Sequence, residues 1–184
     1  QALLRAEAVA AERATAFLNA ARALAEPIAE GLELLGPAPA PMERHTAGAL
    51  PPHFADRLGW REMAEFVALH CAALDPAERP TAAVLVRNYG EAGALEYFAR
   101  ELDLPEVLCP HNNYFLWAEP GDNVAVLLAY GYRREALEQY YGSVEGVGRF
   151  THPYVMPYEN EEQIYVCWEP NLPVGEIWGM VKVF

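Results

Sequence analysis

Asn88, Tyr89 and Glu91 stand in "NYGEAGALEYF" (88–98), directly after the apolar run "TAAVLVR" (81–87). An amide, a phenol and a carboxylate at the end of a strand can hold a polar ligand. The same three residues can also do no more than cap a strand-to-helix turn. A second group follows in "HNNYFLW" (111–117): His111, Asn112, Asn113, Tyr114 and Trp117. Amide donors beside aromatic faces suit a carbohydrate, whose C–H faces stack on rings while its hydroxyls need paired polar groups. The same rings would serve equally well as core plugs. A third group, His152 and Tyr154, lies in "THPYVMPYENEEQ" (151–163), where Pro153 and Pro157 restrict the backbone to an ordered loop.

Other chemistries find little footing. There is no GxGxxG, no Walker lysine, and no GxSxG around Ser143, the single serine. His45, His53, His111 and His152 share no metal-ligand spacing, so no metal site is expected from them. His70 falls in a helical stretch, as a surface or half-buried residue. Cys109 precedes His111 by two positions, but a thiol buried in a strand is a poor nucleophile. Glu91 and His111 would form a general acid–base pair if the fold brought them together. Cys71, Cys109 and Cys167 show no CxxC spacing; they read as buried free thiols, or as one disulfide and one thiol.

The elements that would position these residues follow from pattern. With 184 residues and a net charge of −13, the chain is long enough for one core and carries no basic stripe for nucleic acid. Residues 1–40 are predicted as a helical extension and a linker: 1–35 are alanine-rich, with a break or kink at Pro27, and the stretch from residue 36 is proline-rich. Residues 41–184 form the main domain, with its first element near Pro51. A helix is expected over 54–74, with Met63, Phe66, Val67, Leu69 and Leu74 near helical spacing. Strands are expected at 82–86, 106–110, 123–131 and 164–170, and helices at 90–104 and 133–142, the latter stopped by Gly142. Residues 143–163 look too irregular for one element. Strand–helix alternation with apolar strands predicts an α/β layered domain with a mainly parallel or mixed sheet. Parallel sheets bind ligands beyond the carboxyl ends of their strands, where Asn88 and Glu91 stand.

The longest apolar run, "VAVLLAYGY" (124–132), is far short of the ~20 residues of a membrane span. The chain opens at Gln1 with neither methionine nor a signal-peptide pattern, and is expected to be a piece of something longer.

Four segments in order, "LPPHFADRLGWREMA", "NYGEAGALEYF", "HNNYFLW" and "HPYVMPYE", together resemble the extracytoplasmic C-terminal domain of bacterial membrane glycosyltransferases. The family is that of the dolichyl-phosphate-mannose-protein mannosyltransferases and aminoarabinose transferases, and the likeness covers residues 43–184. It implies a polytopic parent enzyme on the outer face of the bacterial cytoplasmic membrane, with a polyprenyl-phosphate sugar as donor. The acceptor would be a glycan, protein or lipid, and the partner of this domain the transmembrane part of the parent. It also implies that the catalytic acid lies in an outer loop of the membrane part, where a divalent metal ion sometimes takes part, and not in this chain. The chain departs from the family pattern at "FARELDLP", "CPHNN" and "LWAEP". The expected function is thus that of a soluble, non-catalytic domain that shapes or recognises acceptor or donor. The alternatives are a stand-alone binding module for a sugar or other small polar ligand, and a small hydrolase built on Glu91 and His111.

Overall fold

The apolar run after Thr81 is extended, and Ala82–Leu85 forms β1. In this computed structural model, which describes residues 23, 48–117, 120–121 and 123–183, β1 lies inside a five-stranded sheet. Its neighbours β2 (Glu106–Leu108) and β3 (Val126–Tyr130) are both parallel to it, with Val84 opposite Val107 and Leu128. Every residue of β3 is buried, as expected of a strand covered on both faces. Two antiparallel strands, β4 (Tyr141–Arg149) and β5 (Gln163–Pro170), complete the order β2–β1–β3–β5–β4. The α/β expectation holds, and the sheet is mixed.

The described residues fall into two compact units, 48–58 with 153–158 and 59–152 with 159–183. The smaller unit holds α1 (Pro52–Ala55) and a core of Leu50, Ala55 and Met156, against which Leu58 and Tyr154 pack. The sheet belongs to the larger unit. Apart from residue 23, the helical extension and linker expected over 1–40 lie outside the described residues.

Two long helices belong with the sheet. Helix α2 (Trp60–Ala73) buries Met63, Ala64, Val67 and Cys71, and its Phe66 ring meets Tyr130 of β3 edge-on at 6.5 Å. Leu69 was expected in this stripe, but it is two positions from both Val67 and Cys71, on the far side of the helix, and stands 67% exposed. Helix α3 (Tyr89–Leu102) is held to α2 by Arg61, which pairs with Glu101 and lies over the Phe98 ring at 5.1 Å. By register, Ala83, Leu127, Ala129 and Cys167 share the other face of the sheet. There they join one core with Leu137 of α5 (Arg134–Leu137) and with Val174 and Trp178 of α6 (Val174–Met180). Phe115, from the single turn α4 (Tyr114–Trp117), stacks on Trp178 with centroids 5.2 Å apart.

Two expectations fail at the same place. The helix predicted over 133–142 stops after Leu137, and Gly142 is not its stop but the second residue of β4, a strand in the stretch read as irregular. The glycines that gave this segment its loop-like look are there for space. A Cβ at Gly142 would come within 2.9 Å of Glu169, and one at Gly148 within 2.4 Å of His70 Nε2. Tertiary packing overrides the helical preference of "RREALEQ".

Candidate functional site

Asn88 ends the extended segment and caps α3. Its side-chain oxygen accepts the Glu91 backbone N–H at 2.9 Å, while Glu91 Oε2 accepts the backbone N–H groups of Arg87 and Asn88 at 2.8 and 3.2 Å. This reciprocal capping box satisfies otherwise orphaned donors. Glu91 is only 1% exposed, so the carboxylate is sealed inside the fold. Burial pushes its pKa up; the Arg87 guanidinium and the two backbone donors work against that rise.

The topology makes the carboxyl ends of β1 and β3 the natural place for a ligand, because the chain leaves β1 toward β2 on one side and returns to β3 on the other. Here the protein fills that crevice itself. Arg87 lies 3.6 Å from Glu91 Oε1 and 2.5 Å from Glu162 Oε1. Its path crosses Gly131, which has a left-handed φ of +77°. The Tyr132 hydroxyl donates to the Val86 carbonyl at 3.2 Å. Burial also raises the Glu162 pKa, with Arg87 opposing. Arg87, Gly131, Tyr132 and Glu162 were not among the residues singled out in the sequence. The available signal was Arg87 itself: an arginine closing a buried strand requires a carboxylate partner.

The aromatic groups do come together beside this network. Tyr89 stacks on His111, with centroids 5.2 Å apart and planes 29° from parallel. The Tyr114 hydroxyl donates to Glu96 at 3.2 Å, and a Cβ on Gly93 would lie 3.5 Å from that oxygen. The close neighbour of Gly93 is therefore Tyr114. Gly90 makes room for Trp60, whose ring edge would be 3.1 Å from a Cβ there. Trp117 leans on Tyr114 at 5.1 Å and is 71% exposed; Tyr89 is 56% exposed. These two rings, with Tyr114 between helix and solvent, form the part of the cluster that a soluble ligand could touch.

The remaining predicted residues serve the chain. Asn112, at φ 54°, donates its N–H to the Val183 carbonyl, and His111 pairs with Val183 in a short parallel bridge. The Asn113 carbonyl accepts the Leu116 N–H and closes the turn into α4. His152 is buried, with its ring nearly parallel to Phe150 and its backbone N–H donated to Asn160. Tyr154 packs in the smaller unit against Leu50, Ala55 and Met156. Six of the predicted residues thus hold the chain itself: Asn88 and Glu91 through the cap, Asn112 and Asn113 through backbone hydrogen bonds, and His152 and Tyr154 through packing.

The Glu91–His111 pair is not set up for general acid–base work. Glu91 spends one oxygen on two backbone donors and faces Arg87 with the other, sealed from substrate, so it is no general base for His111. Cys109 is buried and its thiol is pushed up to about 11. All three cysteines are free. Among the described residues no group of three or more His, Cys, Asp and Glu is placed to hold a metal ion. No helix among them is long and apolar enough to cross a membrane. Compared with family models, with curated proteins and with solved structures, the chain matches none.

Proposed function

We propose that this chain is a non-catalytic domain of a polyprenyl-phosphate-sugar-dependent membrane glycosyltransferase, held outside the bacterial cytoplasmic membrane, where it recognises acceptor or donor. The observation that carries the proposal is the convergence of three of the resembling segments at the start of α3. Trp60 fits over Gly90, Tyr89 stacks on His111, and Tyr114 sits beside Gly93. Sequence segments that resemble one family for separate reasons need not meet; these pack on one another. The ring surface of Tyr89, Tyr114 and Trp117 is the face offered to a sugar.

The test uses the complete reading frame, expressed in membranes and assayed for transfer from a polyprenyl-phosphate sugar. Transfer by the whole protein, and none by the isolated chain, is the expected result. Turnover of the donor by the isolated chain would overturn the non-catalytic reading. A reading frame lacking apolar spans of ~20 residues outside this chain would remove the membrane enzyme altogether.

A second reading, a stand-alone sugar-binding module, is favoured by the exposed Trp117 leaning on the half-buried Tyr114 beside Glu96, since rings next to a carboxylate suit a sugar face and its hydroxyls. Saturable binding of a free sugar by the isolated chain, lost in Trp117→Ala, would select it.

A further inference from the structure

The larger unit holds a cavity of ≈ 170 Å³ on the sheet face that α5 and α6 cover, and the reading above does not use it. Its floor is Leu85, Leu108 and Leu127, which register places on one face of β1, β2 and β3. Val174, Ile177 and Trp178 of α6 stand across from them, and Leu137 of α5 completes the wall. The cavity is not sealed, because two of the residues that line it, Ala136 and Val183, are exposed.

Protein interiors rarely leave voids larger than a water molecule. This space matches the ~150 Å³ of an apolar cavity that stays dry and takes up benzene. Its lining is almost wholly carbon, from aliphatic side chains, a proline and aromatic rings. A polar atom brought inside would lose its water and find no partner in such a wall. Water itself is disfavoured there, since an enclosed water needs about two to four polar partners. Left empty, the space forfeits the dispersion contacts of everything that lines it. Hydrocarbon is what restores those contacts at no desolvation cost.

We infer that this cavity binds the alkyl end of a single-chain amphiphile, enclosing about six or seven carbons while the polar head stays in solvent beyond Ala136 and Val183. Two observations favour the end of a longer molecule over a small one held whole. The lining rejects any head group, and the exposed lining residues leave the head a way out. Recognition is then of chain length and not of the head. Each methylene that enters is taken from water to a dry wall, and once the space is full further methylenes remain outside.

The probes are n-alkanoates and n-alkyl dimethylamine oxides with chains of about four to ten carbons. They are titrated into the chain below their micelle-forming concentrations while the amide shifts of Leu85, Leu108 and Leu127 are followed. With either head, affinity should rise about fourfold for each added methylene and level off beyond roughly seven carbons. Val174→Phe puts a ring into the space and should abolish the binding. Leu85→Ala, at a half-buried position of the floor, removes three carbons from the wall and should move the levelling point up by about as many. Circular dichroism checks both folds, and Leu85→Ala decides alone if Val174→Phe does not fold. The inference is overturned if no probe binds saturably, if only one head group supports binding, if affinity keeps rising through the longest chains, or if Leu85→Ala leaves the levelling point in place. The cavity and its probes are independent of the glycosyltransferase reading, so either can fail alone.

Discussion

Arg87 crosses directly over Gly131: a Cβ on residue 131 would come within 2.6 Å of the arginine Nε, and the residue's φ of +77° already disfavours any side chain. Gly131→Ala therefore carries two costs. The left-handed backbone costs about 1–2 kcal/mol for a residue with a Cβ. The displaced guanidinium adds the loss of its pairing with Glu162. Urea unfolding should show a loss of about 2–3 kcal/mol. In an Arg87→Ala background the same substitution should cost only the backbone share. Equal costs in both backgrounds would mean that Arg87 does not depend on Gly131.

The Asn88–Glu91 box yields a prediction about stability and one about pH. Asn88→Ala should cost about 1 kcal/mol, the usual range being 0.5–2. For a domain of this size that lowers Tm by roughly 2–4 °C. The pH effect follows from the sign of the Glu91 shift. Its carboxyl has an ordinary value of 4.5 and is raised by burial in the folded state. Between 4.5 and the folded value the native state holds a proton that the unfolded state has lost, so stability falls as pH rises through that window. Below 4.5 the effect is absent, and above the folded value it is complete. Glu162 is raised in the same direction. Glu91→Gln should thus flatten the decline in urea midpoint with rising pH above 4.5, leaving the Glu162 part. Parallel pH profiles for parent and variant would show that Glu91 does not titrate as a buried carboxyl.

The residues that made this box visible also made it ambiguous. Asn88 followed three positions later by Glu91, after an apolar strand, is a capping signature and a plausible ligand lip at once. What decides between them is Arg87 and Glu162, which lie 75 positions apart and meet only because β5 returns beside β3. Arg87 signals that a carboxylate is needed, but nothing local says which one. Strands β1 and β3 were legible because they lie inside the sheet and are continuously apolar, and β2 through its buried Val107 and Leu108. Strand β4 was not, because it runs at the sheet edge with mostly exposed or half-buried residues and three glycines. Of the aromatic cluster, the sequence pointed to Tyr89, His111, Tyr114 and Trp117 together, but their division into ring contacts and exposed surface needed the turn at Asn112 and Asn113.

The cysteines provide a chemical test of the sheet and helices. Cys71, Cys109 and Cys167 are buried and free, and burial pushes their thiols up to about 12, about 11 and about 12. At pH 8 even Cys109 would be thiolate only to about one part in a thousand. A disulfide-exchange reagent such as dithionitrobenzoate should leave the native chain unlabelled over an hour and titrate three thiols in guanidinium. Labelling of one thiol in the folded state would place that cysteine at the surface; titration of a single thiol after unfolding would reveal a disulfide.

Trp117 and Tyr89 separate a recognition surface from packing. Both rings are mostly in solvent, so Trp117→Ala and Tyr89→Ala should each change unfolding free energy by no more than about 0.5 kcal/mol. Asn88→Ala, in contrast, is a poor probe of binding, because it weakens the helix cap whatever the ligand does. If the rings face a sugar, each lost stacking contact is worth about 0.5–1.5 kcal/mol, which is roughly a 2- to 12-fold rise in apparent KM for the acceptor or donor. The assay is transfer by the complete reading frame, with kcat and KM measured separately. A rise in KM with kcat and stability unchanged marks the rings as part of the recognition face. Unchanged KM in both variants removes the ring surface from the proposal, and a Tm drop larger than that of Asn88→Ala would show that Trp117 and Tyr89 hold the fold instead.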